Sequence, residues 1–450
     1  MSKKPAPKKP ESKRPAPKRS EGAGKPAAKA APKDTPRKAT AKEITAASAP
    51  ASAPSVPAPE APKPSATPPQ PAAASPATGY VQLAPGDPAP WFKQRSTSNP
   101  SYVFDTAAGR WIVLCFFGTA GDPASRAALA ALAANRDLFD DTRASFFGVS
   151  VDPRDEAEGR VAESMPGLRF FWDFDGAVAR AYGAVPRDAT PAKGAVAMRR
   201  FWLVLDPTLR VARVFPFRPD GTEAAELFAW LRGLPAPGAH AGFDVQAPVL
   251  ILPNVFEAEF CRRLIGLYEA KGGTASGFMR EVEGKTVVVS DPKHKLRRDY
   301  VIEDPEVIRQ TQLRIQRRVV PEILKVHQFH ANRMERYLVA CYADADGGHF
   351  RAHRDNTTKG TAHRRFAVSI NLNDDFSGGE VSFPEYGPRG FKMPVGGACV
   401  FSCSLLHQVA PVTAGKRYAF LPFLYDDAAA KIREANNQFL GEGVGEYKAR

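Results

Sequence analysis

The side chains best suited to chemistry lie in the stretch GGHFRAHRDN, residues 347–356. His353 and Asp355 are separated by one residue, so they point to the same side of an extended strand. His407 follows the apolar run GACVFS further along the chain. Two histidines and one carboxylate can bind Fe(II) and leave open positions for a cosubstrate and dioxygen. Composition alone favours a solvated basic loop, so the rest of the chain must decide.

A fixed cation follows these three residues. Arg417 lies in VTAGKRYAF, which is typical of a strand, and its guanidinium suits a carboxylate bound through two parallel hydrogen bonds. Lys416 has the opposite strand parity and is expected to face solvent. His349 shares strand parity with His353, so it is a further candidate for the same cavity. H-x-D, a distant His and a later Arg are each weak signals, but in this order they are a strong one.

The surrounding sequence predicts how these residues are positioned. From about residue 333, short β-rich runs alternate with Gly, Asp, Asn and Pro, which favours a β-sandwich or jelly roll. Gly378 and Gly379 are expected to serve a turn. The preceding segments, NVFEAEFCRRLIGLYEA and PEVIRQTQLRIQRRVVPEILKVHQF, show helical apolar spacing, and Pro321 should kink or split the second. We therefore predict a domain over residues 248–440, with helices covering one sheet.

This region resembles the 2-oxoglutarate- and Fe(II)-dependent dioxygenases, in the prolyl 4-hydroxylase-like branch. The resemblance spans roughly 250–427 and is carried by YADADGGHFRAHRDN, SINLNDDFSGGEVSFPEYG and LLHQVAPVTAGKRYAF. It implies a double-stranded β-helix in which His353, Asp355 and His407 bind iron. It also implies that Arg417 holds the distal carboxylate of 2-oxoglutarate, with Tyr342 as a candidate hydrogen-bond donor.

The resemblance further implies a reaction. O₂ and 2-oxoglutarate would be consumed, an unactivated C–H bond hydroxylated, and succinate and carbon dioxide released, with ascorbate keeping the iron reduced. A prolyl residue of a protein is the substrate that family likeness suggests, and a free amino acid or other small molecule is equally allowed. The basic stretch KHKLRRDY, residues 293–300, is either a solvated loop or the border of the substrate entrance.

An earlier block, residues 81–235, alternates predicted strands and helices and is expected to form an α/β domain with a central sheet. Its strands include RWIVLCFFG, ASFFGVSVD, RFFWDF, RFWLVLD and RVARVFPF. Its helices include SRAALAALAANRDLF, EAEGRVAES, AVARAYGA and TEAAELFAWLRGL. The continuous apolar strands indicate a sheet that is covered on both faces.

The stretches GDPAPWF, VLCFFGTAGDPASRAAL and MRRFWLVLDP of this block resemble the peroxiredoxin group of the thioredoxin-like fold. That family places a reactive cysteine at a helix N-terminus, where the helix dipole and an arginine lower the thiol pKa. Here Asp122 replaces the expected Thr, and Ser125, a good helix N-cap, replaces the cysteine. Arg200 (or Arg199) matches the arginine. A serine cannot form a thiolate, so the resemblance implies a degenerate site without peroxidase activity.

The first 80 residues are rich in Lys, Pro and Ala and contain almost no large apolar residues, so a disordered basic tail is predicted. They carry 15 Lys and Arg against 5 Asp and Glu, most of the net charge of +14. Such a tail is either a solubilising tether or an arm that makes weak, non-specific contact with polyanions. Residues 236–247 are predicted to form a linker.

The chain shows no secretory signal and no apolar run long enough to span a membrane. Its five scattered cysteines fit a reducing compartment, so a cytoplasmic protein is expected. The remaining histidines are expected to be structural: His240, His294, His327, His330 and His363.

Two other classes of function stay open. One is a binding or scaffold protein that uses the thioredoxin-like domain and the tail, with the oxygenase module secondary. The other is a redox enzyme that acts through Cys115. The expected position of Cys115 inside a strand favours a buried, inert thiol.

Overall fold

The computed structural model describes residues 79–189 and 197–448; the predicted disordered tail lies almost wholly outside these residues. Residues 79–235 are called the N-terminal block and residues 248–448 the C-terminal block. The N-terminal block is an α/β domain, as predicted. Its elements are β1 (Lys93–Gln94), β2 (Tyr102–Val103), β3 (Trp111–Gly118), α1 (Pro123–Ala134), β4 (Ala144–Ser150), α2 (Pro153–Ala157), β5 (Leu168–Trp172), α3 (Ala177–Ala181), β6 (Phe201–Leu205), β7 (Val211–Pro216) and α4 (Thr222–Arg232).

The central sheet of this block has the order β5-β4-β3-β6-β7. β3, β4 and β5 are parallel, and β6 and β7 join antiparallel. Alternate residues of β3 enter two separate apolar clusters, one on each face of the sheet. Burial on both faces explains the continuous apolar run in the sequence. The predicted helix EAEGRVAES is wrong for most of its length, because α2 ends at Ala157 and irregular backbone follows.

The C-terminal block is dominated by strands. Its elements are β8 (Leu250–Leu252), α5 (Ala258–Lys271), β9 (Thr274–Ala275), β10 (Phe278–Val282), β11 (Lys285–Val289), β12 (Lys295–Leu296), β13 (Arg298–Val301), α6 (Pro305–Arg318), α7 (Val320–His327), β14 (Arg333–Glu335), β15 (Leu338–Ala343), β16 (His349–His353), β17 (Phe366–Asn371), β18 (Ser377–Gly378), β19 (Val381–Ser382), β20 (Gly390–Phe391), β21 (Ala398–Ser402), β22 (His407–Val409), β23 (Val412–Ala414), β24 (Lys416–Phe420), β25 (Phe423–Tyr425) and α8 (Asp427–Ala435).

Two sheets form the core of this block. The larger has the order β14-β25-β17-β24-β15-β13-β9, with β21 and β8 attached through β17, and the smaller has the order β12-β16-β22-β19-β20. Ala340 and Tyr342 of β15 face the apolar space between the sheets. Val339 and Cys341 of the same strand face helices α5, α6 and α7 on the outer side. This alternation is what a sheet with two different buried faces requires.

The prediction that Pro321 splits a helix is confirmed. Helix α6 ends at Arg318 and α7 begins at Val320, so Pro321 occupies the first turn of the second helix. The N–H that proline lacks would have no intrahelical partner in a first turn, so the residue is tolerated there.

Of the two alternatives for KHKLRRDY, the solvated loop is wrong, and His294 and Lys295 of this stretch line the cavity in front of His353, as the other alternative predicted. The stretch forms β12, which pairs with β16, and β13, which pairs with β15. Lys295 and Arg297 are only 6% and 7% exposed. The segment therefore lies at the seam between the two sheets, in contact with strands of both.

The described residues all belong to one compact unit, so the two blocks contact each other directly. All five cysteines are buried and unpaired. In the part of the chain that the structure describes, no helix combines the length and apolar character that a membrane crossing needs.

Candidate metal centre

The structure brings His353, Asp355 and His407 together between the two sheets. One possible ligand atom from each residue lies within 4.8 Å of the other two. His353 Nε2 is 3.6 Å from Asp355 Oδ1, and His407 Nε2 is 3.3 Å from Asp355 Oδ2. The two histidines are register partners on the paired strands β16 and β22. Strand pairing therefore fixes the spacing of the two imidazoles, while Asp355 follows the end of β16 and its backbone N–H donates to the carbonyl of Cys403 at 2.9 Å.

Backbone carbonyls orient both imidazoles. His353 Nδ1 lies 2.7 Å from the carbonyl of Arg351, and His407 Nδ1 lies 3.0 Å from the carbonyl of Leu405. A carbonyl only accepts, so Nδ1 must donate, and each Nε2 keeps its lone pair. Such a partner on the second nitrogen is usual for metal-binding histidines. The rings are thus held in the tautomer that a metal needs.

The protonation states also suit a cation. Burial, followed by repulsion from His407, lowers the pKa of His353 to about 4, so its imidazole is neutral near neutral pH. Burial alone would raise the pKa of Asp355, but His407, His353 and Arg364 together hold it well below its ordinary value. A neutral imidazole and an ionised carboxylate are the forms that bind divalent metals.

His349 does not share the cavity, although its strand parity with His353 predicted that it could. A bulge interrupts the pairing of β16 with β22 between Phe350 and His353. The bulge brings Phe350 onto the same side as His353, and the two rings stack with centroids 3.5 Å apart. His349 instead contacts the carbonyls of Gly347 and Lys293 through its two ring nitrogens.

Arg417 and Tyr342 lie beside the three candidate ligands. They are register partners on β24 and β15, and both line a small pocket with His353, Asp355 and His407. Arg417 Nε donates to Asn371 Oδ1 at 3.1 Å, and its Nη2 donates to Ser369 Oγ at 2.9 Å. Its buried Nη1 has no hydrogen-bond partner among the described residues. Lys416 faces outward and pairs with Glu269, as its parity predicted.

The chemistry of this donor set fits an anionic cosubstrate. Arg417 is 2% exposed, and burial lowers its pKa. Its partners Ser369 and Asn371 are neutral, so the positive charge is not neutralised by a carboxylate in contact. A buried cation with a free N–H is costly unless an anion joins it. A carboxylate bound at Nη1 would neutralise the charge of Arg417 and accept the hydrogen bond from its free N–H.

Arg297 also lines this pocket, although the sequence patterns did not predict it. Its Nη1 donates to the Tyr342 hydroxyl at 3.3 Å, and its Nη2 donates to Asp299 Oδ2 at 2.6 Å. It therefore fixes the tyrosine ring next to Arg417. The alternation Arg-x-Asp in RRDY was an available signal, since both residues point to one side of a strand.

A larger cavity of about 690 Å³ leads to His353 and Asp355. One wall is the hairpin of β10 and β11, including Phe278 and Val288, and another is the N-terminal block, including Tyr102 and Thr106. His294, predicted to be structural, packs against Phe278 with ring centroids 4.4 Å apart and also lines this cavity. Both blocks thus border the approach to the candidate metal centre.

The peroxiredoxin-like site is organised differently. Asp122, not Ser125, is the N-cap of α1, and its carboxylate accepts from the Ser125 backbone N–H at 3.0 Å. The buried Ser125 hydroxyl donates to the carbonyl of Phe117 at 2.7 Å. Of the two candidate arginines, Arg200 pairs with Asp122, whereas Arg199 stacks on Tyr80. The Asp122 carboxylate is therefore paired with the arginine that a thiolate would need for its stabilisation.

Cys115 lies in the centre of β3 and is fully buried. Burial, followed by the charge of Glu223, raises the pKa of its thiol well above the ordinary value. A thiol without solvent contact and without thiolate character does not react readily. The hypothesis of a redox enzyme that acts through Cys115 has no support in this geometry.

Comparisons with known proteins agree with both parts of the chain. Residues 85–214 match the AhpC/TSA family, and residues 337–425 match the 2OG-Fe(II) oxygenase superfamily. A PKHD-type hydroxylase from Azoarcus sp. (strain BH72) is 30% identical over 103 residues, which is 21% of this chain and 44% of that protein. A PKHD-type hydroxylase from Synechococcus sp. (strain JA-3-3Ab) is 30% identical over 89 residues, which is 18% of this chain and 39% of that protein. The chain thus spans less than half the length of these relatives.

Solved structures resemble each block. A prolyl hydroxylase from Trichoplax adhaerens, in complex with a hypoxia inducible factor peptide, is 16% identical with a TM-score of 0.31, covering 41% of this chain and 85% of its own. Peroxiredoxin Q from Xanthomonas campestris is 19% identical with a TM-score of 0.26, covering 31% of this chain and 89% of its own. The oxygenase superfamily implies Fe(II), 2-oxoglutarate and O₂, which the donor set described above fits. The chain therefore combines a segment that matches the AhpC/TSA family, residues 85–214, with a segment that matches the 2OG-Fe(II) oxygenase superfamily, residues 337–425, and part of the chain is similar to PKHD-type hydroxylases.

Proposed function

We propose that the protein is an Fe(II)- and 2-oxoglutarate-dependent dioxygenase that hydroxylates an unactivated C–H bond and releases succinate and carbon dioxide. One observation carries the proposal. Three ligand atoms within 4.8 Å of one another adjoin a buried arginine whose Nη1 is unpaired within the described residues. A cluster of metal-ligating side chains alone, or a buried arginine alone, would be compatible with several functions. Their combination in one pocket suits a metal that binds a dicarboxylate.

Each residue of the pocket has a distinct task in this proposal. His353, Asp355 and His407 bind the iron, and the carbonyls behind the imidazoles keep each Nε2 directed at it. Arg417 holds the distal carboxylate of 2-oxoglutarate through Nη1, while Ser369 and Asn371 fix the guanidinium. A chelating cosubstrate held at both ends is oriented before the reaction begins.

With 2-oxoglutarate and O₂, the bound iron supplies an oxidant strong enough to attack an aliphatic C–H bond. The protein must then place the substrate and exclude water. Apolar side chains, including Phe350, Phe401 and Val409, line the small pocket around the ligands and lower its access to water. Ascorbate is proposed as the external reductant that keeps the iron in the ferrous state.

The proposed substrate is a prolyl residue of a protein. The resemblance of the sequence to the prolyl 4-hydroxylase-like branch supports this choice, and the similar PKHD-type hydroxylases support a hydroxylation. A cavity of about 690 Å³, larger than the cosubstrate pocket, is open in front of His353 and admits more than a single small ring. A free amino acid or another small molecule is the competing substrate class.

We also propose that the peroxiredoxin-like domain has no peroxidase activity. Ser125 is buried and bonded to the backbone, and Arg200 is already paired with Asp122. The weak contact of the basic tail with polyanions remains a proposal on its charge alone. A cytoplasmic location is proposed on the five unpaired cysteines.

The test is succinate formation from 2-oxoglutarate by anaerobically purified, Fe(II)-loaded protein on exposure to air. A proline-rich peptide and free proline are added in separate reactions. We expect succinate in all reactions and an increase with the peptide. Failure of the protein to bind iron would contradict the proposal and would favour the binding or scaffold function. A stimulation by free proline alone would replace the prolyl residue with a small-molecule substrate.

A further inference from the structure

The residue between two candidate metal ligands reaches out of the C-terminal block. Arg354 stands between His353 and Asp355, and its Nε donates to Asp105 Oδ2 of the N-terminal block at 2.8 Å. Its Nη2 also approaches the carbonyl of Asp105 at 3.4 Å, and its guanidinium lies over the ring of Trp91 at 4.3 Å. The ligand-bearing segment is therefore attached to the peroxiredoxin-like domain by polar and aromatic contacts.

The third candidate ligand has a similar neighbour. Leu406, which precedes His407, is fully buried in the apolar cluster of the N-terminal block that contains Phe104 and Leu205. Ala352, which precedes His353, packs against the same cluster. The ligands turn inward and the residues beside them turn outward, toward the other domain.

One carboxylate links these two outward contacts. Glu385 accepts from Arg354 Nη2 at 2.8 Å and from the backbone N–H of Leu406 at 3.0 Å. The adjacent Pro384 packs closely against Gly109 of the N-terminal block. A Cβ atom added to Gly109 would lie 2.6 Å from the Cβ atom of Pro384. Asp105, Arg354 and Glu385 thus form a buried charge cluster behind the metal centre.

This cluster is buried deeply enough to constrain the ligands. The side chains of Arg354, Asp105 and Glu385 are 1%, 6% and 8% exposed. Removing one partner of a buried ion pair costs far more than removing one at the surface, because the remaining charge keeps its desolvation penalty. Without Asp105, Arg354 keeps only Glu385 as a charged partner, so the backbone between His353 and Asp355 is held less firmly.

We propose that Asp105 is a positioning residue for the metal centre, and that the peroxiredoxin-like domain acts through it as a scaffold that holds the iron ligands. This inference rests on the proposed function of the same site. It assigns a task to a domain whose own thiol chemistry is gone. Residues that orient metal ligands from behind typically change metal affinity by about 10- to 100-fold when mutated.

The test compares three variants of the full chain by anaerobic titration with Co(II), followed through its visible absorption. Asp105→Asn removes the charge, Asp105→Glu retains it, and Asp141→Asn is the matched control. Asp141 makes a two-point ion pair with Arg169 inside the N-terminal block, at 2.7 and 2.6 Å. It reports what the loss of an ion pair does to this domain in general.

We expect Asp105→Asn to weaken Co(II) binding about 10-fold or more and to shift the absorption bands. Asp105→Glu should recover part of the affinity, and Asp141→Asn should bind like the wild type. Equal binding by Asp105→Asn and wild type would overturn the inference, and so would an equal loss in both Asn variants. Absence of Co(II) binding by the wild type would instead contradict the proposed function.

Discussion

The chain contains two sites built around an arginine, and they differ in the group that the arginine contacts. In the N-terminal block, Arg200 pairs with the Asp122 carboxylate, which also accepts from the Ser125 N–H. In the C-terminal block, Arg417 is held by the neutral Asn371 and Ser369, and its Nη1 has no partner in the described residues. The charge of Arg200 is neutralised by a carboxylate of the protein, whereas Arg417 is kept available for an anion.

The difference shows what distinguishes a site proposed to be inactive from a site proposed to be active. Both blocks keep a fold typical of the family that they resemble, so the fold alone gives no answer. The Asp122 carboxylate supplies a negative charge next to Arg200, as a thiolate would, and stabilises the helix as its N-cap. An unfilled hydrogen bond on a buried charge has a cost that folding alone does not explain. It indicates a ligand.

The largest expected effect comes from His353→Ala. Loss of one of three ligands should abolish Fe(II) binding and reduce succinate formation to background. The matched control is His349→Ala, since that ring contacts only backbone carbonyls outside the cavity. Iron titration and succinate assays check both. Activity that survives in His353→Ala would contradict the proposed ligand set.

The second test compares the two arginines directly. Arg417→Gln should raise the KM for 2-oxoglutarate by at least about 30-fold, because a buried charged contact is worth roughly 2 kcal/mol or more. Arg200→Gln should leave this KM unchanged. Steady-state succinate formation gives both values. A similar rise of the KM for 2-oxoglutarate in the two variants would remove the distinction between the two arginine sites.

The third test tries to restore the degenerate site. In Ser125→Cys the new sulfur would lie near Asp122, whose Oδ2 is now 3.3 Å from the Ser125 hydroxyl. A nearby carboxylate disfavours the thiolate, so the thiol pKa should lie above about 8.5. Adding Asp122→Thr frees Arg200 and should lower that pKa by about one unit or more. The pH dependence of the ultraviolet absorbance of the thiolate measures it without the need for a reagent to reach the buried sulfur, and a low pKa in the single variant would be contrary to expectation.

The smallest effect is expected from Tyr342→Phe. Its hydroxyl accepts from Arg297, so its loss leaves one buried donor without a partner. A cost of about 1 kcal/mol would raise the KM for 2-oxoglutarate roughly fivefold and leave kcat almost unchanged. Tyr337→Phe is the control, because that hydroxyl accepts from Gln312 on the outer side of the block. Equal KM values in both variants would show that the Tyr342 hydroxyl does not contribute to the binding of 2-oxoglutarate.

Residue types and strand parity were enough to assemble His353, Asp355, His407 and Arg417 from the sequence. They failed at His349, because a bulge depends on how β16 pairs with β22 and not on local composition. Alternate residues of a strand point to the same side only while the strand pairs regularly with its neighbour.

The other errors also have tertiary causes. KHKLRRDY has the composition of an exposed loop, but pairing with β15 and β16 buries Lys295 and Arg297. Ser125 is a plausible N-cap by type, yet Asp122 occupies the cap and pairs with Arg200. Neither the contact of Arg354 with Asp105 nor the burial of Leu406 in the other block leaves a mark on local sequence.

The pairing of His353 with His407 across β16 and β22 has a consequence for folding. A metal ion held by both would cross-link two strands that are distant in sequence, and the unfolded chain offers no such site. Ligand binding confined to the native state stabilises it by about 2.7 kcal/mol at a free concentration of 100 times Kd. Thermal unfolding should therefore shift upward with added metal. Amide hydrogen exchange should slow first in the smaller sheet. A bound iron would then stabilise the fold as well as take part in the reaction.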